Sequence, residues 1–597
     1  MSTGRTSPDA RRDSRSLAYD PGMRSLRPGA VSAVAVTAIV AAFVALSWWE
    51  LRDESPTYDE GPHLAAAYTA LRLGDHRLVT EQPPLGRRVA AIPLLLDTVR
   101  LPAPGPAWET ADHFRYGFAF LFQSGNDPER LLSRARWAML SWGLLLILSV
   151  YGVARRLFGP RGGLVALAAA AFNPSILGHA HLVTTDVPPA ALALLAVVAF
   201  QGWLERPGLL RAAAAGVLAG GAVATKLSAL ALGPVFAVQL ALAARSRVRR
   251  GGGDPEVSGA VRGWWSARRA GELAAIGLLA YATIWGAYGF RYALSPDPGY
   301  DPVAHMQYGT RELPSALAWL ASRRLLPEAL LVGLAELGAH AQAGHPGFAM
   351  GMDSHRGWWW YLPFAFLVKS PVSLLALVAA GAAAWRRSRA PPGWGAAIAA
   401  AAAVFTVSAA MSPLAMGIRH LFLAFPFAFV ACGAAATLVE GRGRWVRAGV
   451  AALVVGLVVE CLAESPFHLA YFNAPTLALA PRERVLTDSN LDWGQDLKRL
   501  KRYLDAHGIP QVKLAYFGMA SPRRLGLRHE TLATHLALYP SLEPEWPAAS
   551  GVEPGDLVAL SAYCTYGCPA LERLVTGRGE LVATVGRSIR LYRIRGP

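Results

Sequence analysis

Residues 57–96 read TYDEGPHLAAAYTALRLGDHRLVTEQPPLGRRVAAIPLLL and closely follow the first long apolar run of the chain. Asp59 and Glu60 stand side by side, and His63 comes four residues after Asp59, on the same face if the segment is helical. Apolar residues recur at helical spacing over residues 64–71, so we expect a helix with one apolar side that lies half-buried along the membrane surface.

The boundaries of this helix are marked by turn residues. Gly74 ends it, and the Pro83-Pro84 pair prevents its continuation before a second apolar run, residues 89–96. Two interpretations follow from the local pattern. The acids are held at the membrane surface to act on a lipid-linked substrate, or they belong to a solvated loop that merely follows a membrane span.

The composition is that of a polytopic membrane protein. Of 597 residues, 53% are hydrophobic, and several mostly apolar runs are long enough to cross a bilayer. Lys and Arg number 58 against 41 Asp and Glu, for a formal charge of +17, and the arginines cluster between apolar runs. This pattern indicates membrane topology rather than nucleic-acid binding, and four cysteines in so long a chain exclude a disulfide scaffold.

Apolar runs and basic loops predict about eleven transmembrane helices within residues 31–462. Residues 1–30 are Arg-rich and no cleavage site follows the first run, so we expect a cytoplasmic tail and an uncleaved first helix in the plasma (inner) membrane. The Arg-rich loop 245–269 is the strongest cytoplasmic marker, which puts loops 50–130 and 291–357 outside. The predicted helices are residues 31–49, 131–153, 163–176, 190–203, 212–224, 227–244, 271–290, 358–386, 395–411, 418–438 and 446–462.

Residues 463–597 have a different composition, with short apolar strings between polar stretches. We expect a small α/β domain on the outer side of the membrane. Its predicted elements are one helix and three strands, residues 491–507, 512–517, 557–560 and 589–594. Cys564 and Cys568 flank a spacer that suits a turn, and both a disulfide and two free thiols fit this location.

Polar residues at the outer ends of the apolar runs are candidate site residues, because charge near hydrocarbon is costly without a use or a partner. They are Asp59, Glu60, His63, Glu81, Arg87, Arg88, Asp186, Lys226, Arg419 and His420. Acids and cations on one membrane face suit a reaction in which a hydroxyl attacks and a phosphate leaves. Structural interpretations stand beside this one: the arginines and Lys226 could extend to lipid head groups, and Asp186 could cap a helix.

Several short strings occur in an order that resembles one family. They are DE at 59–60, EQPPL at 81–85, TTD at 184–186, ATKLSAL at 224–230, GWWWYLPFAFLVKSP at 357–371, GIRHLFLAFPF at 417–427 and YFN…DSNLDWGQDLKRL within 471–500. Together they resemble the polyprenyl-phosphate-sugar-dependent membrane glycosyltransferases, which have the GT-C fold. Bacterial members are related to protein O-mannosyltransferases and aminoarabinose transferases. The resemblance covers most of residues 31–517.

The resemblance implies roles for the acids. Asp59 is expected to act as general base on the acceptor, with Glu60 as its companion, and Asp186 to position the acceptor or a metal. Glu81 matches the acid before the PPL string. A divalent cation held by Asp59, Glu81 and Asp186 is compatible with these assignments.

The resemblance also implies where the lipid phosphate is held. Lys226 and Arg419 match positions suited to it, whereas Gln82 stands where related transferases often have a basic residue or His, so Arg87 or Arg88 could substitute. His63 and His420 complete the predicted substrate contacts. Five further residues either line an acceptor cleft or form a turn packed on the membrane domain: Asp488, Asn490, Asp492, Trp493 and Gln495.

These features favour an inverting transferase that moves a sugar from a polyprenyl phosphate to a hydroxyl of a protein or lipid outside the membrane. The chain shows no DxD pair or nucleotide-binding loop that would indicate a sugar-nucleotide donor. Two alternatives remain: a transporter or flippase of lipid-linked sugars, which would be expected to show an inverted repeat, and a catalytically silent assembly protein.

Overall fold

The computed structural model describes residues 28–250, 266–308, 311–388, 390–414, 416–439, 443–537, 539–543 and 548–596. Two predicted cytoplasmic features fall largely outside the described residues. They are the Arg-rich tail, of which residues 1–27 are not described, and the loop 245–269, of which residues 251–265 are not described.

The first half of the chain is helical. Its helices are α1 (Pro28–Asp53), α2 (Glu60–Arg72), α3 (Leu85–Ala91), α4 (Pro106–Glu109), α5 (His113–Phe118), α6 (Pro128–Ala171), α7 (Pro174–Ala180), α8 (Val187–Glu205), α9 (Leu209–Val223), α10 (Leu232–Arg250) and α11 (Ala267–Ala287). Short 3₁₀ segments at Ile92–Leu96 and Leu227–Ala231 extend α3 and precede α10.

The second half adds more helices and seven strands. The helices are α12 (Ser315–Ser322), α13 (Glu328–Ala343), α14 (Tyr361–Lys369), α15 (Val372–Ala384), α16 (Trp394–Ala410), α17 (Phe425–Gly433), α18 (Arg444–Glu464), α19 (Ala474–Leu479), α20 (Arg482–Val485), α21 (Leu497–Ala506), α22 (Tyr539–Leu542), α23 (Cys564–Gly567) and α24 (Pro569–Arg578). The strands are β1 (Gly347–Ala349), β2 (Met352–Ser354), β3 (Val512–Ala515), β4 (His529–Thr531), β5 (Leu557–Ser561), β6 (Gly579–Val585) and β7 (Ile589–Ile594).

In the described part of the chain, six helices are long and apolar enough to cross a membrane, so the protein is an integral membrane protein. They are Ser32–Asp53, Pro128–Ala171, Val187–Glu205, Leu227–Ser246, Ala267–Ala287 and Arg444–Glu464. The α14–α15 pair is bent by 110° and provides a seventh candidate span if the two helices are counted as one. Three shorter apolar helices begin at Leu209, Trp394 and Phe425. Each predicted apolar segment lies mainly in one of these helices, but a count of eleven spans stays a prediction.

Two predicted boundaries differ from the structure for local reasons. The second and third predicted helices form the 44-residue α6, which breaks at Gly159 (φ 76°) directly before Pro160. The third ends at Ala171 rather than at residue 176, because the Asn173 side chain accepts a hydrogen bond from the Ile176 N–H at 3.0 Å and caps the separate helix α7.

The predicted cytoplasmic loops meet at one end of the helix bundle. The Phe158 and Trp385 rings lie 4.9 Å apart, and the Arg156 guanidinium lies 5.2 Å above the Trp394 ring. Gly162 and Gly433 touch through their backbones, where a Cβ on Gly433 would lie 2.8 Å from the Gly162 carbonyl oxygen. Three basic connections therefore share one end of the bundle, and the assignment of this end to the cytoplasm stays a prediction.

The C-terminal part contains a five-stranded mixed sheet in the order β4-β3-β5-β7-β6, with β3 parallel to both its neighbours and β7 antiparallel to both of its own. One face of this sheet has its own buried cluster, which includes Val558, Leu560 and Tyr592. The other face shares its core with the first half of the chain. Leu500, Leu514 and Met519 share one buried cluster with Leu64 and Tyr68 of α2. The C-terminal part is thus packed directly on the segment with which the sequence analysis began.

This packing corrects the expected setting of α2. The sequence predicted a half-buried helix lying along the membrane surface, but Glu60 to Ala70 are all buried. Helices α3 and α5 and the C-terminal part pack around α2. Many of its residues are alanines, which a neighbouring element can approach closely, so the helix became an internal element.

Candidate active site

A cavity of about 450 Å³ lies between four parts of the chain: residues 57–63 at the start of α2, the start of α8, the start of the Leu227–Ala231 segment, and the C-terminal part. Seven of the ten predicted site residues line it: Asp59, His63, Glu81, Asp186, Lys226, Arg419 and His420. Three do not line it: Glu60, Arg87 and Arg88. The structure therefore brings together residues that are up to 361 positions apart in the chain.

Asp59 stands at the N-terminus of α2, but its side chain does not cap that helix. Its Oδ2 instead accepts a hydrogen bond from the Arg419 Nη1 at 2.9 Å, and 23% of the side chain is exposed. The loop is fixed by backbone hydrogen bonds of 2.9 Å, from the Tyr58 N–H to the Trp493 carbonyl and from the Ser55 N–H to the Gln495 carbonyl. The carboxylate is thus held firmly while part of it stays open to the cavity.

Arg419 is clamped between acids and an aromatic ring. Its guanidinium lies 4.2 Å above the Trp493 ring, and its Nη1 is also 3.7 Å from an Asp186 carboxylate oxygen. Cation–π contact and two carboxylates keep a mostly buried arginine ionised. Arg419 therefore supplies a fixed positive charge between the two acids.

Asp186 is almost fully buried, with 2% of its side chain exposed, and its Oδ1 is paired with the Lys226 ammonium. It makes no side-chain capping bond to α8, so the capping interpretation is wrong. Burial alone would raise its pKa, but the positive charges of Lys226 and Arg419 lower the pKa of Asp186 well below its usual range. Asp186 thus remains a carboxylate at any physiological pH.

The pKa of Asp59 moves in the opposite direction. Burial raises it above the ordinary aspartate value, and although Arg419 lowers it, the neighbouring carboxylates of Asp488 and Asp186 raise it further. A carboxylate with a raised pKa is a stronger base, and two acids whose pKa values are pushed apart are a common sign of divided roles. This arrangement favours Asp59 for taking a proton and Asp186 for holding charge.

Two predicted histidines face the cavity as neutral rings. Burial, and then the positive charges of Arg87 for His63 and of Lys226 for His420, lower both pKa values well below the usual histidine range. The His63 Nδ1 and the His420 Nε2 are buried and make no hydrogen bond within the described residues. Each ring can therefore donate to or accept from a bound substrate.

Glu81 lies in the cavity wall with a partner that the sequence did not indicate. Its carboxylate is 3.1 Å from the Nδ1 of His340, on which the Tyr308 ring stacks at 4.1 Å. The described residues contain no group of three or more His, Cys, Asp or Glu side chains arranged to hold a metal ion. Asp59, Glu81 and Asp186 thus do not converge on a common three-ligand site.

Glu60 occupies a different place from the one predicted for a catalytic companion. It is fully buried, and its carboxylate receives two hydrogen bonds from Arg136, at 2.8 and 2.6 Å. The Thr57 N–H and the Val183 N–H donate to it as well, at 2.9 and 3.1 Å. Both oxygens of Glu60 are therefore occupied by hydrogen bonds that anchor the loop, and its side chain does not line the cavity.

Arg87 and Arg88 also differ from their predicted place in the substrate site. Arg87 is 2% exposed and donates to the backbone carbonyls of Val79 and Leu78, at 3.0 and 3.3 Å. Arg88 contacts the His76 ring, with 3.4 Å between Nη2 and Nε2. Arg87 therefore does not extend to lipid head groups. Neither arginine lines the cavity beside Gln82, whose amide oxygen accepts a hydrogen bond from the Thr185 hydroxyl at 2.9 Å.

The C-terminal part contributes to the cavity more than the sequence indicated. Of the five residues of uncertain role, Asp488 and Trp493 line the cavity, whereas Asn490, Asp492 and Gln495 form the packed turn. The Phe517 ring stacks between Tyr58 and Tyr563, at 5.1 and 4.0 Å.

Several wall residues carried no signal in the sequence. His340 and His345 are two of the four histidines in residues 291–357, and Tyr563 stands beside a cysteine. Cys564 and Cys568 form a disulfide next to this wall, and Cys432 and Cys461 are free and buried.

The comparisons with known proteins agree with the family resemblance. A family model described as dolichyl-phosphate-mannose-protein mannosyltransferase matches residues 130–251, a segment that includes Asp186 and Lys226. This match confirms the resemblance to that group of membrane glycosyltransferases. No curated protein matches the chain.

Two similar solved structures are distant in sequence. ArnT from Cupriavidus metallidurans bound to undecaprenyl phosphate is 15% identical, and the match covers 94% of this chain and 99% of that chain with a TM-score of 0.44. The Archaeoglobus fulgidus oligosaccharyltransferase in complex with Zn and sulfate is also 15% identical, with 72% of this chain and 52% of that chain covered and a TM-score of 0.38.

Proposed function

We propose that this protein is an inverting glycosyltransferase that moves one sugar from a polyprenyl-phosphate carrier to a hydroxyl of a protein or glycolipid at the outer face of the plasma membrane. The observation that carries the proposal is the Asp59 carboxylate, open to the cavity, with a raised pKa, and next to Arg419. The family match over residues 130–251 supports the reaction class.

The proposed reaction begins at the free oxygen of Asp59. Its Oδ2 is engaged by Arg419, so Oδ1 accepts the proton of the acceptor hydroxyl. The hydroxyl oxygen forms a bond to the anomeric carbon, and the bond from that carbon to the phosphate oxygen breaks. The phosphate keeps the electron pair, and attack from the face opposite the leaving group inverts the anomeric configuration.

Positive charge for the leaving phosphate comes from Lys226 and Arg419. Both line the cavity and are little exposed, at 12% and 11% of their side chains. Fixed cations in a site with little water stabilise developing negative charge more than the same cations would in bulk water. Asp186 positions both of them, because its carboxylate pairs with each.

The outer location rests on the arrangement of the bundle. Three basic connections share one end, where Phe158, Trp385 and Trp394 meet, and such connections favour the cytoplasmic side. Asp59 follows the opposite end of α1, whose N-terminus comes directly after the Arg-rich tail. The cavity and the C-terminal part would then lie outside.

The test is a transfer assay with purified protein in detergent, a synthetic polyprenyl-phosphate sugar and a panel of hydroxyl acceptors. We expect sugar transfer with release of polyprenyl phosphate by the wild type. Asp59→Asn should lower the rate by about 10²–10⁴-fold, the usual contribution of a general base, while binding of the donor is retained.

Three results would contradict the proposal. Full turnover by Asp59→Asn would remove the base, and a product that retains the anomeric configuration of the donor would remove direct displacement. Movement of intact donor across a vesicle membrane without cleavage of its sugar–phosphate bond would instead identify a transporter.

A further inference from the structure

Arg419 lies in a helical segment that is too short to fix its own position. The segment Ile418–Leu421 is a 3₁₀ helix of four residues, a type of helix in which hydrogen-bond geometry is poor. It follows residues 411–414 and 416–417, none of which lies in a helix or strand. Gly417 stands directly before the segment, and a glycine has no side chain with which to cap the free N–H groups of a helix start. Partners from elsewhere in the chain therefore have to hold the backbone that carries Arg419.

A turn of the C-terminal part, residues 488–490, supplies these partners. The side-chain oxygen of Asn490 accepts a hydrogen bond from the Ile418 N–H at 2.9 Å, so a side chain 72 positions away caps the short helix. The Ser489 hydroxyl donates to the Met416 carbonyl at 3.0 Å. Both bonds act on the backbone directly before the arginine.

Helix α14 fixes this turn from the membrane side. Asn490 is fully buried, and its side-chain N–H donates to the Tyr361 hydroxyl at 2.9 Å. Its backbone carbonyl accepts from the Nζ of Lys369, which also donates to the Leu469 carbonyl at 2.7 Å. Tyr361 and Lys369 are the first and last residues of α14, and they are 2% and 1% exposed. Because a buried polar group that loses its partner is costly, these bonds hold Asn490 in one orientation.

The following residues of the same segment hold the other member of the ion pair. The Trp493 carbonyl accepts from the N–H of Tyr58, the neighbour of Asp59, at 2.9 Å, and the Trp493 ring lies 4.2 Å from the Arg419 guanidinium. The Asp59 carboxylate and the Arg419 guanidinium are 360 positions apart in the chain and 2.9 Å apart in space. Residues 488–493 contact the backbone of both, so this one segment sets their separation.

We propose that Asn490, supported by Tyr361 and Lys369, is a positioning residue that holds Arg419 against Asp59 for the transfer reaction. This role rests on the proposed function, in which Asp59 is the base and Arg419 compensates the phosphate. Asn490 does not line the cavity, so it acts through Arg419 and not on a substrate. The C-terminal part is then a working component of the reaction site as well as its cover.

Displacement of Arg419 would have two measurable consequences. Burial raises the pKa of Asp59 and the charge of Arg419 lowers it, so a looser ion pair raises this pKa and moves the acid limb of kcat/KM to higher pH. A guanidinium released from its carboxylate also reacts faster with phenylglyoxal, a reagent specific for arginine. This second measurement does not require sugar transfer.

The test uses the purified full-length protein in detergent. Asn490→Leu removes the oxygen that caps the short helix, and Ser489→Ala removes the hydroxyl bond to the same backbone. Asn173→Leu is the matched control, because Asn173 is also fully buried and its side chain accepts a backbone N–H bond at 3.0 Å, but at the start of α7. Phenylglyoxal labelling of Arg419 is measured by peptide mass spectrometry, with the exposed Arg323 as internal reference, and the acid limb is measured from initial rates.

We expect Asn490→Leu to lower kcat/KM about tenfold, the usual effect of a lost hydrogen bond. The same variant should move the acid limb to higher pH and speed the labelling of Arg419. Ser489→Ala should show these changes to a smaller extent, and it decides the matter if Asn490→Leu does not fold. Asn173→Leu should lower the midpoint of thermal unfolding and change neither the acid limb nor the labelling.

Three results would overturn the positioning role. One is a lower rate in Asn490→Leu with unchanged labelling and an unchanged acid limb, because Asn490 would then act only in folding. Another is the absence of both changes in Ser489→Ala when Asn490→Leu does not fold, and the third is an equal change in Asn173→Leu. Faster labelling of Arg419 in a protein whose wild type transfers no sugar would instead support the position of Asn490 and contradict the proposed function.

Discussion

Asp59 and Glu60 are neighbours in the chain, yet they face different regions of the molecule. Asp59 opens into the cavity with a single side-chain partner, Arg419, and keeps 23% of its side chain exposed. Glu60 is directed to the packed side of the loop, where Arg136, Thr57 and Val183 occupy both of its oxygens. Asp59 therefore has an oxygen free to accept a hydrogen bond from a substrate, whereas both oxygens of Glu60 are already engaged.

Within this short segment, the acid that can react and the acid that anchors the backbone are separate residues. A base needs an oxygen that is open to the substrate, and it needs a backbone that does not move when the proton arrives. Glu60 supplies the fixed backbone, because its carboxylate accepts five hydrogen bonds from three different segments of the chain. We therefore expect Asp59 to act as the base and the neighbouring Glu60 to hold the backbone of Asp59 in place.

The largest effect on stability should come from breaking this support. Glu60→Gln leaves Arg136, which is 2% exposed, without a counter-charge. Loss of one partner of a buried ion pair costs about 3–5 kcal/mol, so we expect a clearly lower midpoint of thermal unfolding in detergent. Asp59→Asn, the matched change on the cavity side, should leave this midpoint nearly unchanged while it stops transfer.

Two results would contradict this division between Asp59 and Glu60. Equal losses of stability in the two variants would mean that both acids anchor the loop. A Glu60→Gln protein with normal stability and a low rate would return Glu60 to the catalytic group that the sequence favoured.

The spacing of residues in the chain could predict the location of most of the site. The acid before PPL, the acid of TTD and the arginine of GIRH each lie at the end of an apolar run on one expected side, and Glu81, Asp186 and Arg419 do line one cavity. Hydropathy and charge decide on which side of a membrane a run ends. Hydropathy and charge therefore indicated that these three residues lie on the same side of the membrane.

Orientation at the single-residue level could not be predicted in the same way. Asp59 and Glu60 differ only by which side of a helix start they face, and that depends on Arg136, 76 residues away from Glu60. His340 reaches Glu81 across 259 positions. Such pairs form through tertiary packing, which leaves no local pattern. The burial of α2 was missed for the same reason, because α3, α5 and residues after 490 pack around it.

A smaller effect on stability is expected at the wall formed by the C-terminal part. The Cys564–Cys568 disulfide closes a five-residue loop between Tyr563 and the end of α23, for which chain entropy predicts about 2 kcal/mol. We expect the Cys564→Ser/Cys568→Ser double variant to unfold at a lower temperature and to keep most of its transfer rate. Reduction of the wild type should reproduce this shift, whereas the same treatment should not affect the double variant.

A still smaller effect, on donor binding alone, should come from Lys226. Lys226→Met keeps the length of the side chain and removes the charge that we assign to the donor phosphate. We expect the KM for the donor to rise about tenfold, which corresponds to about 1.4 kcal/mol, and Lys226→Arg to keep most of the affinity. A lower kcat with an unchanged KM would show instead that Lys226 acts only in the transition state.

The last expected effect is a fall in the transfer rate that is absent at neutral pH and appears only on acidification. Asp59 works as a base when it is ionised, and its pKa is raised by burial and by Asp488 and Asp186. The rate should therefore fall at a higher pH than an ordinary aspartate would cause. Asp186, whose pKa is lowered by Lys226 and Arg419, stays ionised and adds no fall in this range.

Arg419 provides the means to check this assignment. Its charge lowers the pKa of Asp59, so Arg419→Gln should move the acid limb of kcat/KM to still higher pH, in addition to weakening use of the donor. The limb is measured from initial rates over the acidic to neutral range, with Arg323→Gln as a control at an exposed arginine. If the limb stays in place in Arg419→Gln, or persists in the residual activity of Asp59→Asn, the titrating group is not Asp59, and the division of roles between the two cavity aspartates fails.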